Sequence, residues 1–255
     1  MGQVIKKTDN ELILQRRKKI RIKRAILLFM LMTSLFVTLC LKLPYFNIKT
    51  IKVSGNKNIP QKEIISLSKV TLDNNIFYIN LKYIESNILS NPYIASIKIE
   101  RKLPSTIQII VKEREAVFYN NKNNKYFVID KDGVLLQQRA DVKEMKLIKL
   151  DGIDYEKTDI GKVSEDKDKR KIDVIRNMGN VIQNNKITSI TSVDVSNSVD
   201  IKLYSGNILI KIGSPDNIDK KLNKAVNILA RKELQGAKGY IDVSFDGNPV
   251  FFIEK

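Results

Sequence analysis

Asn91–Lys112 reads NPYIASIKIERKLPSTIQIIVK, and two short alternations within it set the architecture of the segment around it. Ile97 and Ile99 alternate with Lys98 and Glu100; Ile107, Ile109 and Val111 alternate with Gln108 and Lys112. A period of two places the apolar members of each run on one face of a strand. Leu103-Pro104-Ser105 reads as the turn between the strands. Asn91-Pro92 ends whatever helix precedes it, because the residue before a proline is pushed out of the helical region. Upstream, Asn80 is placed to cap a helix whose stripe is Leu81, Ile84 and Ile88. Pro60, a favoured first helical position, opens an earlier helix carrying Ile64, Ile65 and Leu67. Ser54-Gly55-Asn56 is a turn, and Phe46–Val53 (FNIKTIKV) reads as a strand before it. The order β-α-α-β-β within roughly 68 residues predicts two helices on one face of a three-stranded sheet.

Further toward the N-terminus, Ala25–Leu41 (AILLFMLMTSLFVTLCL) holds no charge. At 1.5 Å per residue such a run spans about 26 Å, close to the hydrocarbon thickness of a bilayer. Arg16, Arg17, Lys18, Lys19, Arg21, Lys23 and Arg24 precede it, and a single Lys42 follows before Leu43 and Pro44. The bias predicts a cytoplasmic N-terminus and a large exported part. Three other readings compete. A cleaved signal peptide needs a small-residue site, whereas Leu39-Cys40-Leu41-Lys42-Leu43-Pro44-Tyr45 is bulky. A lipoprotein anchored through Cys40 needs a small residue before the cysteine, and Leu39 stands there. A buried soluble helix would need apolar neighbours all round, beside seven cations. A non-cleaved anchor meets none of these objections.

The net charge of the 255 residues is +17. Residues 1–24 hold nine Lys/Arg and two acids, the topological signal, and the rest of the excess is spread over 36 basic and 26 acidic residues. A nucleic-acid partner is disfavoured because the basic cluster abuts the apolar run and nucleic acid is absent outside the cell. An anionic membrane or wall surface is the more natural counter-charge; the plainer reading is a Lys- and Asn-rich composition with no partner. Cys40 is the only cysteine, so no intramolecular disulfide forms. The chain has no His and no Trp. Without His there is no Ser-His-Asp or Cys-His catalysis, and most zinc sites are excluded.

Beyond Glu113-Arg114-Glu115 short strands dominate: Ala116–Tyr119, Tyr126–Ile129 and Val134–Leu136, the last two joined by Asp130-Lys131-Asp132-Gly133. A helix runs from about Asp168 to Gln183 on Ile172, Ile175, Met178 and Ile182. Ile187–Val195, Val199–Tyr204 and Asn207–Ile212 read as a meander. Ser214-Pro215 starts a helix with Leu222, Val226 and Leu229 inward. Tyr240–Phe245, an Asp246-Gly247 turn and Pro249–Ile253 follow, for a mostly antiparallel sheet with two helices. Chemistry is scarce. Residues 130–133 suggest a calcium loop, but Val134 takes a position that needs an oxygen ligand, so a turn is expected. No phosphate-binding glycine loop occurs. Ser66-Leu67-Ser68-Lys69 fits S-x-x-K without its companion elements. No cofactor, metal, small-molecule substrate or enzymatic activity is expected.

Val53-Ser54-Gly55-Asn56, Asn91-Pro92-Tyr93-Ile94, Arg101, Leu103-Pro104-Ser105-Thr106 and Val111-Lys112-Glu113-Arg114-Glu115-Ala116 make residues 46–116 resemble the POTRA domain of the bacterial division proteins FtsQ and DivIB. Glu115 departs from the usual proline after Glu-Arg. Val128–Gly133 and Tyr240–Gly247 resemble segments of that family's second domain. The resemblance implies an α+β chain: a basic cytoplasmic tail (1–24), a transmembrane anchor (25–43), a POTRA domain (46–114) and an antiparallel β-rich domain with two helices (115–255). It implies a single-pass membrane protein at the division septum that is not an enzyme. Such a scaffold of the divisome binds small bitopic partners of the FtsB/DivIC and FtsL type and regulates septal wall synthesis. A strand near the C-terminus can leave an open edge for a partner strand. The expected partner-binding residues are Ser244, Phe245, Gly247, Val250, Phe251 and Phe252. The competing reading is that these aromatics fill the core of the β domain: Phe245 shares a face with Ile241 and Val243, while Phe251 and Phe252, being adjacent, point to opposite faces. The alternative from another class is a membrane-tethered wall enzyme or export component carrying a POTRA module.

Overall fold

The computed structural model describes residues 3–185, 187–234 and 236–254, with 3–12 as backbone alone. Met1 and Gly2 of the expected tail, and Lys186, Gln235 and Lys255 of the expected β domain, lie outside the described residues. The chain divides into two compact units, one of residues 1–56, 60–85 and 98–110, the other of 57–59, 86–97 and 111–255.

In the first unit, helix α1 (Gln3–Lys42) is continuous through the basic tail and the apolar run. Its segment Ile13–Lys42 is long and apolar enough to cross a membrane, and its most apolar stretch is not buried. Thr33 and Thr38 sit in the run without cost because their hydroxyls donate to carbonyls one turn back (Phe29, Met30 and Ser34) at 2.8–3.0 Å. Strand β1 (Thr50–Ser54) starts later than the pattern suggests, because Pro44–Phe46 forms a 3₁₀ turn and Ile48 pairs with the loop at Asp73 and Asn74. Helix α2 (Gln61–Ser68) follows Pro60, which is its cap rather than its first turn. Helix α3 (Leu81–Leu89) is capped as expected: the Asn80 carboxamide oxygen accepts the Lys82 and Tyr83 N–H groups. Strands β2 (Ile94–Lys102) and β3 (Thr106–Glu113) follow, in sheet order β1-β3-β2 with β1 parallel to β3 and Val53 opposite Ile109. Ile48, Ile64, Ile76, Ile84, Ile107 and Ile109 are buried here. Each contributes about 1.5–3 kcal/mol by leaving water. Ser68 of the S-x-x-K match is buried, donating to the Ile65 carbonyl and accepting from Val70 N–H. It is part of a helix end, and Lys69 is the left-handed cap.

The second unit is built on a nine-stranded sheet. Its strands are β4 (Ala116–Lys122), β5 (Lys125–Asp130), β6 (Leu135–Arg139), β7 (Ile148–Asp151), β8 (Ser192–Asp194), β9 (Ile201–Ser205), β10 (Ile208–Gly213), β11 (Gly239–Asp242) and β12 (Val250–Ile253). The order is β12-β11-β10-β9-β8-β7-β4-β5-β6. Three pairings are parallel, β10 with β11, β4 with β7 and β7 with β8; the other five are antiparallel. Strand β7, with Ile148 and Leu150 inward, joins the two halves of the sheet. Helices α4 (Arg170–Asn184) and α5 (Ile218–Leu229) cover one face through Ile172, Ile175, Met178, Leu222 and Ala225. A smaller cluster of Val128, Val134, Leu136 and Val142 covers part of the other. Residues 130–133 form the expected turn. Asp130 is 1 % exposed; one carboxylate oxygen accepts the Asp132 and Val134 N–H groups and the other binds Arg114 at 2.6 Å. That oxygen is thereby taken by a guanidinium rather than a cation from solution.

Candidate functional site

Strand β12 ends the sheet, and no described strand pairs beyond it. An outermost strand presents unpaired backbone N–H and C=O groups to any chain that approaches. Strand β11 is parallel to β10, with Ile210 opposite Ile241. It is antiparallel to β12, with Tyr240 opposite Phe252 and Ile241 opposite Phe251. The approach of β11 to β12 depends on Gly239, where a Cβ would stand 2.0 Å from the Phe252 carbonyl oxygen. After β11 the chain is locked by Asp242, whose carboxylate accepts the Ser244 N–H (3.0 Å) and hydroxyl (2.6 Å). Gly213, at φ +69°, lies against Ser244: a Cβ on this glycine would stand 2.8 Å from the serine Cβ.

The pleat sorts the expected binding residues. Val250 and Phe252 lie on one face of β12, 48 % and 51 % exposed. Phe252 stacks on Tyr240 at 5.8 Å, and the Lys211 ammonium stands 4.4 Å from the Tyr240 ring centroid. Phe251 faces the other way, packs against the core and lies under the Arg231 guanidinium at 5.5 Å. Phe245 does not follow Ile241 and Val243 into the core. Strand β11 ends at Asp242, so the alternation stops, and Phe245 is 47 % exposed in the loop before β12. Gly247 in that loop accepts a hydrogen bond from the Lys224 ammonium through its carbonyl. Lys238 pairs with Glu254 at 2.6 Å across the ends of β11 and β12, both largely exposed. The result is an apolar and aromatic strip of Val250, Phe252 and Tyr240 beside an open edge. Tyr240 was legible as outward from its place beside the inward Ile241; Lys211 carried no sequence signal. The topology residues Arg16, Arg17, Lys18, Lys19, Arg21, Lys23 and Arg24 are all exposed on α1.

Residues 46–114 match the family model described as "POTRA domain, FtsQ-type", and residues 117–244 match "Cell division protein FtsQ/DivIB, C-terminal". The chain is 47 % identical over 257 residues to the cell division protein DivIB of Clostridium botulinum (strain Hall), all of both chains being covered. It is 47 % identical over 249 residues to DivIB of Clostridium acetobutylicum, 98 % of this chain and all of that one. The chain belongs to the FtsQ/DivIB family. DivIB of Bacillus subtilis is 31 % identical over 125 residues, about half of each chain. The family's C-terminal model ends at residue 244, so β12 lies beyond the matched segment.

Proposed function

We propose that this chain is a non-enzymatic scaffold of the division machinery. In this reading α1 crosses the cell membrane once, residues 1–24 are cytoplasmic, and the POTRA (46–114) and β-rich (115–255) domains lie outside at the septum. The β12 edge accepts a strand from a small bitopic partner of the FtsB/DivIC or FtsL type. The observation that carries the reading is the open β12 edge beside exposed Val250 and Phe252. Backbone pairing supplies affinity and the flanking side chains supply choice of partner.

Phe252→Glu tests it. The ring is half-exposed, so the change should leave stability within about 0.5 kcal/mol. A lost aromatic anchor should weaken partner capture by about 2 kcal/mol, roughly 30-fold. Deleting residues 246–255, the last of which lies outside the described residues, should abolish capture. Capture of an FtsB/DivIC-type partner at full strength by both variants would remove the edge from the site.

A further inference from the structure

A second apolar patch, far from β12 in sequence, surrounds the end of α1. The last turn of a helix leaves carbonyls without partners. Here the Asn75 carboxamide supplies the donors: its Nδ2 donates to the Cys40 carbonyl at 2.9 Å and the Leu41 carbonyl at 3.2 Å. Asn75 is 7 % exposed. Its carboxamide oxygen accepts the Phe77 N–H, and its backbone carbonyl accepts the Tyr78 N–H. The backbone on either side is tied to the exit segment as well, with Ile76 N–H donating to Phe46 and Asp73 N–H to Ile48. The loop 72–78 is therefore held at the level where the apolar run ends.

Beside exposed Asp73 and Asn74, the loop presents large apolar and aromatic side chains. Leu72, Phe77 and Tyr78 are 50 %, 38 % and 65 % exposed. Leu43 and Tyr45 of the exit segment are 42 % and 62 % exposed. The rings of Tyr45, Phe46 and Phe77 form a chain with centroids 5.3 and 5.4 Å apart. Exposed Lys42 and Lys49 flank it. Aromatic rings with lysines at the end of a spanning helix suit the headgroup layer, where one end of a tyrosine is apolar and the other wet.

We infer that Leu72, Phe77 and Tyr78, with Tyr45, seat the loop 72–78 in the outer headgroup layer of the bilayer that α1 crosses. Asn75 couples this seat to the helix end. The seat rests on the reading of α1 as a spanning helix, and the two are separable by experiment. Because the chain has no Trp, single tryptophans report position without background. Full-length Tyr78→Trp, Phe77→Trp, Phe36→Trp and Val199→Trp variants would be reconstituted in phosphatidylglycerol–phosphatidylethanolamine vesicles. Their fluorescence would be compared with lipids brominated near the glycerol and near the methyl end. Phe36 lies in the apolar run, and Val199 is an exposed residue of the other unit. The seat requires that the shallow bromine quench the Tyr78→Trp and Phe77→Trp variants about two-fold, with little effect from the deep one and no quenching of the Val199→Trp variant. If the Phe36→Trp variant is quenched while the two loop variants behave as Val199→Trp does, the seat is overturned and the span stands. Absence of quenching in the Phe36→Trp variant removes the span and the seat together. Asn75→Ala in the Tyr78→Trp background should reduce the shallow quenching, since it frees the loop from the helix end.

Discussion

Glu113 shows how one side chain organises a loop that carries no regular structure. Its carboxylate accepts the N–H groups of Lys57, Asn58 and Ile59 at 2.7–3.0 Å. Burial alone would raise its pKa, but the three backbone N–H donors outweigh it and hold it below the ordinary 4.5. A depressed acid contributes stability that is complete above the unfolded value and lost as pH falls through the folded one. Glu113→Gln should therefore cost about 1–2 kcal/mol at neutral pH. The difference from the parent chain should shrink as the pH drops below 4.5, as read from thermal melts across that window; a constant difference would remove the charge from the account. Glu115, the residue that departs from the family's proline, accepts the Lys57 ammonium at 2.9 Å and the Gln183 carboxamide at 2.6 Å. A proline there would supply neither bond. At Gly239 the control is steric. Alanine places its methyl into the Phe252 carbonyl, so Gly239→Ala should cost about 1–3 kcal/mol and loosen β12 specifically. Hydrogen exchange should then accelerate at Val250–Ile253 while β9 and β10 stay protected.

Among the elements, β12 shows how alternation divides roles between neighbours. Phe251 faces the core and Phe252 faces out, so the same substitution should have opposite consequences. Phe251→Glu buries a charge and should destabilise the larger unit by about 3 kcal/mol, whereas Phe252→Glu should leave the fold intact and weaken only the proposed partner capture. Circular dichroism melts separate the two, and equal losses of stability would mean that both rings are core. The turn 130–133 makes a comparable point. Asp130 is held by Arg114, 16 residues from it in sequence, and Arg114 also donates its backbone N–H to Tyr93. A fragment cut at residue 115 leaves a buried carboxylate without its cation. A 111–255 fragment should thus melt at higher temperature than 115–255, by a margin corresponding to about 3 kcal/mol. Equal melting temperatures would show that Asp130 is satisfied by its turn alone.

At the scale of the whole molecule, the charge bias of α1 predicts on which side of a membrane the two compact units lie. Seven cations stand between residues 16 and 24, just before the apolar run, and Lys42 alone stands between the run and Pro44. Protease added to intact protoplasts should digest the chain beyond the span and spare the tail. Protection of residues 46–255 with cleavage of the tail would invert the orientation. Neither compact unit is cross-linked, since Cys40 is the only cysteine, and each is held by its own apolar packing.

The elements that depend on local pattern were legible from the residues themselves. The α1 run, the Asn80 cap, the alternating β2 and β3 and the stripes of α4 and α5 each follow from periods of 3.6 or 2 that burial of one face imposes. Strand β7 was legible in principle from Ile148 and Leu150 but short enough to pass for a connection. What tertiary structure alone decided is pairing. That β10 lies parallel to β11, that β7 joins the halves of the sheet and that β12 is outermost depend on contacts between residues distant in sequence, which no local period encodes. The same holds at the exit of the span, where Asn75, an ordinary loop residue by sequence, caps the end of α1 by binding the carbonyl of Leu41, 34 residues before it. A capping partner is chosen by where the chain folds back, and only the packed fold sets that place.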